Sequence, residues 1–122
     1  MKINFLIVDD EKVQQIYMKK LIQNVYNNSD IDIANDGNDA INKCMENTDY
    51  HIIFMDITMP NCDGITATET IRMLNEKVLI FSVTAFGEDN ILKKKCNDVK
   101  MNGYYVKPLK KRNIIDAINK LT

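Results

Sequence analysis

Short apolar runs alternate with helical patterns along the entire chain, and this alternation restricts the fold more than any other feature. The apolar runs predict strands at residues 3–8, 31–34, 52–55, 78–83 and 104–106. The helical patterns between and after them cover residues 12–26, 38–46, 65–74, 89–99 and 112–121. Strands that alternate with helices form βαβ units around a parallel sheet. We therefore predict an α/β fold of the (βα)5 kind, with a doubly wound parallel sheet of five strands.

The order of the strands follows from their polarity. Residues 30–33 alternate between aspartate and isoleucine, a pattern typical of a strand with one wet face or an edge position. The first, third and fourth runs are almost continuously apolar, which indicates burial on both faces of the sheet. Strand order 2-1-3-4-5 places the second strand at an edge and allows every crossover to be right-handed. Strands 1 and 3 then lie on either side of the point where the strand order reverses.

Size and composition exclude several classes of protein. With 122 residues the chain can bury a core, and we expect a single domain over residues 1–122. A net charge of -1 gives no general attraction to nucleic acid or to an anionic membrane surface. No apolar run is long enough to span a membrane, and three cysteines without metal-binding spacing suit a reducing compartment. We expect a soluble, cytoplasmic protein that contacts neither nucleic acid nor membrane directly.

Polar residues stand at the ends of four apolar runs. Asp9 and Asp10 follow the first run, Asp56 the third, Thr84 the fourth and Lys107 the fifth. In an open parallel sheet, the carboxyl ends of the strands border one crevice, so these side chains are expected to meet there. Three carboxylates in a partly desolvated site repel one another, and a cation must offset them. Oxygen ligands of this kind suit Mg2+, and the threonine and lysine would complete a surface that holds an anion.

Each of these residues also has an ordinary structural explanation. Asp9 and Asp10 suit the start of a helix, Thr84 suits the end of a strand, and Lys107 before a proline suits a surface turn. Asp56 is harder to explain in this way, because it follows a fully apolar strand at the start of a loop. A shared site accounts for all of these residues at once, and it is the hypothesis that we retain.

The same positions resemble the receiver domains of response regulators in two-component signalling, typified by the chemotaxis receiver. The motifs are VDDE at 8–11, MDITMPNCDG at 55–64, VTA at 83–85 and YYVKP at 104–108. The resemblance covers essentially the whole chain and implies a flavodoxin-like fold with bound Mg2+. It also implies a histidine kinase or histidine-phosphotransfer protein as phosphodonor, and an output protein that the sequence does not identify.

The resemblance implies a role for each site residue. Asp56 is the expected phosphoacceptor, and Lys107 and Thr84 are expected to act with it in catalysis. The expected metal ligands are Asp9, Asp10, Asp56 and the backbone carbonyl of Thr58. Such a domain catalyses its own phosphorylation and dephosphorylation, without turning over an external substrate.

A conformational switch is the second consequence of the resemblance. Thr84 is expected to bond the new phosphoryl group, and the ring of Tyr104 to turn inward when the threonine moves. The ordinary alternative for Tyr104 is an aromatic residue of an edge strand without such a role. The Lys107-Pro108 bond is expected to be cis, and Gly64 to occupy a backbone conformation that other residues resist.

A partner surface is predicted on the first helix. Val13, Ile16 and Tyr17 lie partly off its core-facing stripe, and an apolar patch beside an acidic site suits docking of a donor helix. A wide but ordinary core face is the alternative, since single exposed apolar residues are common. Both a monomer and a phosphorylation-linked dimer remain open.

Three other functions compete with a phosphorylated receiver. A haloacid-dehalogenase-type phosphatase would carry a second carboxylate two residues after its nucleophile, where this chain has Thr58. An FMN carrier of the same strand order would need N-H donors after the first strand, where Asp9 and Asp10 would repel the phosphate. A receiver scaffold that acts without phosphorylation is the third alternative.

Overall fold

Parallel strands alternate with helices, as the sequence predicts. The computed structural model describes residues 1–57, 63–85, 87 and 89–121. Within them the strands are β1 (Ile3–Val8), β2 (Ser29–Ala34), β3 (Ile52–Asp56), β4 (Leu79–Thr84) and β5 (Gly103–Val106). The helices are α1 (Lys12–Val25), α2 (Gly37–Glu46), α3 (Gly64–Leu74), α4 (Asn90–Asp98) and α5 (Lys111–Asn119). The predicted (βα)5 arrangement is therefore confirmed.

The sheet has the strand order β2-β1-β3-β4-β5, and every neighbouring pair is parallel. This confirms the predicted order 2-1-3-4-5 and the edge position of β2. The exposed residues of β2 are Asp30 and Asp32, which alternate with half-buried isoleucines. Charged side chains on an edge strand discourage pairing with a strand of another chain. The two exposed aspartates of β2 can therefore be explained by the structure alone.

Two strands end one residue later than the sequence predicts. Asp56 is the last residue of β3 and pairs in register with Val83, while Thr84 ends β4 and pairs with Val106. The predicted strands stop before both residues, with Asp56 at the start of a loop, yet the backbone ladder continues through them. As a consequence, the carboxylate of Asp56 and the hydroxyl of Thr84 project from rigid strands rather than from loops.

The core has two layers, one on each face of the sheet. Alternate residues of β1 belong to different layers, with Leu6 and Val8 in one and Phe5 and Ile7 in the other. In the second layer, neighbouring rings pack across four strands in the order Phe5, Phe54, Phe81 and Tyr105, with centroids 6.2, 5.9 and 5.3 Å apart. The first and last pairs are stacked and the middle pair is tilted. Burying one such side chain contributes about 1.5–3 kcal/mol, so this row of rings fixes the strands that carry the site.

The turn before β5 contains a strained residue. Lys100 has a φ of 66°, a left-handed conformation that costs roughly 1–2 kcal/mol for a residue with a side chain. Arg72 of α3 holds this turn, because its Nε donates to the Lys100 carbonyl at 3.0 Å and its guanidinium to Asn102 Oδ1 at 2.7 Å. The turn that a glycine would form without strain is therefore kept here by side-chain hydrogen bonds.

Two further sequence expectations concern the whole chain. In the described part of the chain, no helix is both long enough and apolar enough to cross a bilayer. Cys44 and Cys96 are buried free thiols, and burial raises the pKa of Cys44 to about 11. Both are neutral core residues at ordinary pH, while Cys62 lies outside the described residues.

Candidate functional site

Three carboxylates meet where the strand order reverses. Asp9 follows β1 and Asp56 ends the neighbouring β3, and both residues are almost fully buried at 1% and 4% exposure. Asp10 is exposed, yet carboxylate oxygens of all three residues lie within 4.8 Å of one another. The structure thus brings together the three acidic residues that the sequence places at strand ends.

Lys107, which follows β5, lies against two of these carboxylates. Its Nζ is 3.0 Å from Asp9 Oδ2 and 3.2 Å from Asp56 Oδ2, and its side chain is only 12% exposed. Burial by itself lowers the pKa of the Lys107 ammonium, but the hydrogen bond to Asp9 and the charge of Asp56 outweigh it. The pKa is therefore raised, and the side chain is cationic throughout the physiological range.

Asp9 serves both the site and the start of α1. Its Oδ1 accepts a hydrogen bond from the backbone N-H of Glu11 at 2.8 Å, while its Oδ2 faces Lys107. Asp9 therefore both bonds the backbone at Glu11, next to the start of α1, and lies in the acidic cluster beside Lys107. Since each carboxylate oxygen has its own partner, the side chain has a fixed orientation.

Gln15 of α1 is a site residue that sequence reasoning missed. It is buried, and its Nε2 donates to the Asp9 carbonyl at 2.7 Å and to Asn35 Oδ1 at 2.9 Å. The side chain thereby ties the end of β1 to the loop after β2. A signal was present in the sequence, because Gln15 shares the buried face of α1 with Met18 and Ile22 at helical spacing.

Thr84 lies on β4, the neighbour of β3, and Tyr104 lies on β5, the next strand along the sheet. Thr84 is fully buried, and its carbonyl accepts the backbone N-H of Lys107 at 2.7 Å. Tyr104 is half-buried on the edge strand β5, where its hydroxyl donates to the Gly87 carbonyl at 3.3 Å. The ammonium of Lys93 lies 5.5 Å from the centre of the Tyr104 ring, within the range of a cation-π contact.

The loop after Asp56 is described only in part. Thr58, predicted to offer its carbonyl to a metal, lies outside the described residues. The Lys107-Pro108 bond is cis, as the resemblance implies. The reason predicted for Gly64 is wrong, because no glycine of the described residues has a positive φ. Gly64 is required for space instead, since an added Cβ would lie 2.3 Å from the carbonyl oxygen of Asp56.

The acidic cluster offers the donor atoms that Mg2+ prefers. The three carboxylates supply oxygen only, at a mutual distance that one hard cation can bridge. Against these three negative charges stands the single ammonium of Lys107, so the four side chains leave about two negative charges to be offset. Asp9, Asp10 and Asp56 therefore fit a divalent cation in both chemistry and charge.

The apolar patch predicted on α1 is exposed. Val13 is 77% exposed, Ile16 47% and Tyr17 39%, whereas Met18 and Ile22 of the same helix are buried in the core. The hydroxyl of Tyr17 additionally donates a hydrogen bond to the carbonyl of Leu109. The alternative of a wide but ordinary core face does not apply to Val13 and Ile16.

A family model described as the response regulator receiver domain matches residues 5–119. The chain belongs to this family. Receiver domains act in two-component phosphorelays, where they receive phosphoryl groups from histidine kinases and pass signals to output domains, and they generally bind Mg2+ at an acidic pocket. Membership of this family favours a receiver over the phosphatase and FMN-carrier alternatives, whereas the fold alone does not separate it from an FMN carrier of the same strand order.

Similar proteins differ greatly in length, from CheY to a histidine kinase. The chain is 36% identical over 114 residues to the osmosensing histidine protein kinase SLN1 of Saccharomyces cerevisiae. The match covers 89% of this chain but only 9% of that protein. It is 30% identical to the chemotaxis protein CheY of Halobacterium salinarum over 93% of this chain and 92% of that one. In a solved CheX-CheY-BeF3-Mg complex from Borrelia burgdorferi, the matched chain is 29% identical with a TM-score of 0.82, covering 98% of this chain and 88% of that one.

Proposed function

We propose that this receiver domain accepts a phosphoryl group on Asp56 from a phosphohistidine of a histidine kinase or histidine-phosphotransfer protein. The observation that carries the proposal is the position of Lys107 between the buried carboxylates of Asp9 and Asp56. Residues 1–122 would act as one receiver unit, and the buried free thiols Cys44 and Cys96 suit a cytoplasmic location.

Asp56 is suited to act as the nucleophile. One of its carboxylate oxygens would form a bond to phosphorus while the bond between phosphorus and the donor nitrogen breaks, leaving an acyl phosphate and a free imidazole. Two anions approach each other in this step, so the barrier depends on positive charge held nearby. Lys107 already donates to Asp56 Oδ2, and it can donate to a phosphoryl oxygen at the same place.

The metal site would hold Mg2+ through Asp9, Asp10 and Asp56. When bound, the ion supplies positive charge toward the carboxylate and the phosphoryl oxygens. Support for this assignment comes from the oxygen-only donor set, and from the similar Borrelia burgdorferi complex, which was solved with BeF3 and Mg. Asp10 is the exposed member of the set and would form the open side of the site.

Thr84 and Tyr104 would convert the chemical change into a change of surface. Thr84 ends β4 beside β3, so its hydroxyl can turn toward a phosphoryl group on Asp56. Its movement would leave space that the ring of Tyr104 enters. The contacts of that ring with Gly87 and Lys93 would then break, and the surface of α4 and β5 would present different groups to an output protein.

Phosphorylation of Asp56 can be tested by intact-mass measurement. After incubation with a small acyl phosphate and Mg2+, we expect one hydroxylamine-labile phosphoryl adduct on the native chain. The adduct should be absent without Mg2+ and in Asp56→Asn, but retained in the control Asp49→Asn, which changes an exposed aspartate outside the acidic cluster. No adduct on a folded native chain that binds Mg2+ would instead favour a receiver scaffold that acts without phosphate.

Val13, Ile16 and Tyr17 are the proposed surface for the phosphodonor. Ile16→Ala should slow transfer from a phosphorylated histidine-phosphotransfer domain about fivefold, the effect of removing roughly 1 kcal/mol of contact energy. Uptake from the small acyl phosphate should not change, because Ile16 is not one of the residues of the acidic cluster. Ile91→Ala on α4 is the matched control, since Ile91 is also exposed. Equal losses with both donors would rule out a docking role for Ile16.

A further inference from the structure

The loop that carries Lys107 connects the edge strand β5 to α5. The ammonium of Lys107 is paired with Asp9 and Asp56, and its backbone N-H donates to the carbonyl of Thr84. At the far end of the loop, the N-H of Lys110 donates to Asn113 Oδ1 of α5 at 2.9 Å. The segment is thus fixed at both ends, and the position of its middle decides how the lysine side chain enters the site.

Tyr17 of α1 reaches the middle of this loop. Its hydroxyl donates to the carbonyl of Leu109, two residues after Lys107, at 2.5 Å. The side chain of Leu109 is fully buried and packs in the same core layer as Met18 of α1. Leu109 is therefore anchored by its side chain in the core and by its carbonyl on the Tyr17 hydroxyl, so a shift of the loop would break both contacts.

We propose that Tyr17 is a positioning residue for Lys107. Its hydroxyl holds the loop so that the ammonium remains between Asp9 and Asp56. The effect that loss of the Tyr17 hydroxyl should have on phosphoryl uptake rests on the proposed function of the site. The effect that it should have on the mobility of the loop does not.

The exposure of the Tyr17 ring gives this role a consequence for signalling. Tyr17 is 39% exposed beside Ile16 and Val13, while its hydroxyl contacts the loop that carries Lys107. A donor protein seated on this surface would touch the same residue that places the lysine. Docking and the charge arrangement around Asp56 are thereby connected through one side chain.

Tyr17→Phe tests the role, because it removes the hydroxyl and keeps the ring. In Tyr17→Phe without a donor, backbone hydrogen exchange at Lys107 and Lys110 should be about three- to tenfold faster than in the native chain, as expected for the loss of one hydrogen bond. The maximal rate of uptake from the small acyl phosphate should fall by a similar factor, with little change in the half-saturating donor concentration. Tyr26→Phe is the matched control, since the Tyr26 hydroxyl at the end of the same helix also bonds a backbone carbonyl, that of Met1.

A double substitution separates positioning from a general loss of structure. If Tyr17 acts through Lys107, Tyr17→Phe should slow uptake in the native background but have no further effect in a Lys107→Met background. Equal effects in both backgrounds, or unchanged exchange at Lys107 and Lys110, would overturn the proposal. A native chain that takes up no phosphate would refute the proposed function alone, and the exchange rates would still decide the role of Tyr17.

Discussion

Gly64→Ala is expected to lower the free energy of unfolding by about 3 kcal/mol, a large effect for the addition of one methyl group. The added Cβ would lie 2.3 Å from the carbonyl oxygen of Asp56 and 2.8 Å from the Cα of Ile57. These are backbone atoms at the end of a buried strand, so no side-chain rotation can relieve the contact. Either α3 moves away from the sheet, or the end of β3 shifts and takes the Asp56 carboxylate with it.

Urea unfolding of Gly64→Ala and of the control Gly87→Ala would measure this effect. Among the described residues, a Cβ on Gly87 would meet nothing within 4 Å, and its backbone does not have a positive φ. That variant should therefore lie within about 0.5 kcal/mol of the native chain. Alanine is the better helix former, which by itself would favour the variant at the first residue of α3. Equal stabilities for the two variants would show that the contact at Gly64 is relieved at little cost.

Gly64 illustrates where sequence reasoning stops. A glycine in the turn after a strand can be required for a left-handed conformation or for a close approach, and the sequence does not distinguish these needs. Asp63 caps α3 through the N-H of Thr66, so the local sequence already explains the helix start without special backbone geometry. Only the packing of α3 against the end of β3 shows that Gly64 is required because there is no room for a side chain.

The acidic cluster was predictable for a general reason. Carboxyl ends of adjacent parallel strands lie at one edge of a sheet, so a strand order derived from polarity is sufficient to bring Asp9, Asp56 and Lys107 together. The contacts of Gln15 and Tyr17 were not predictable in the same way. Gln15 bonds Asn35, 20 residues away, and Tyr17 bonds Leu109, 92 residues away. No sequence pattern marks these partners, because the acceptors of these two side chains include backbone carbonyls.

Lys107→Met is expected to change phosphoryl uptake and Mg2+ binding in opposite directions. Uptake from the small acyl phosphate should fall about 100- to 1000-fold, the usual loss when one charged or polar donor to a developing anion is removed. Mg2+ should bind about tenfold more tightly, because a cation 3.0 Å from Asp9 and 3.2 Å from Asp56 no longer competes for the same carboxylates. Intact-mass kinetics and calorimetric titration with Mg2+ measure the two quantities.

The stability of Lys107→Met should also depend on Mg2+. Without Lys107, the buried carboxylates of Asp9 and Asp56 lose the ammonium that offsets them, so the variant should unfold more easily than the native chain in metal-free buffer. Added Mg2+ should restore most of the difference, since it binds the folded state. Lys111→Met, at an exposed position of α5, is the control and should leave all three measurements unchanged. Weaker Mg2+ binding in Lys107→Met would mean that Lys107 mainly holds the carboxylates in place for the metal. The lysine charge would then not compete with Mg2+ for these carboxylates.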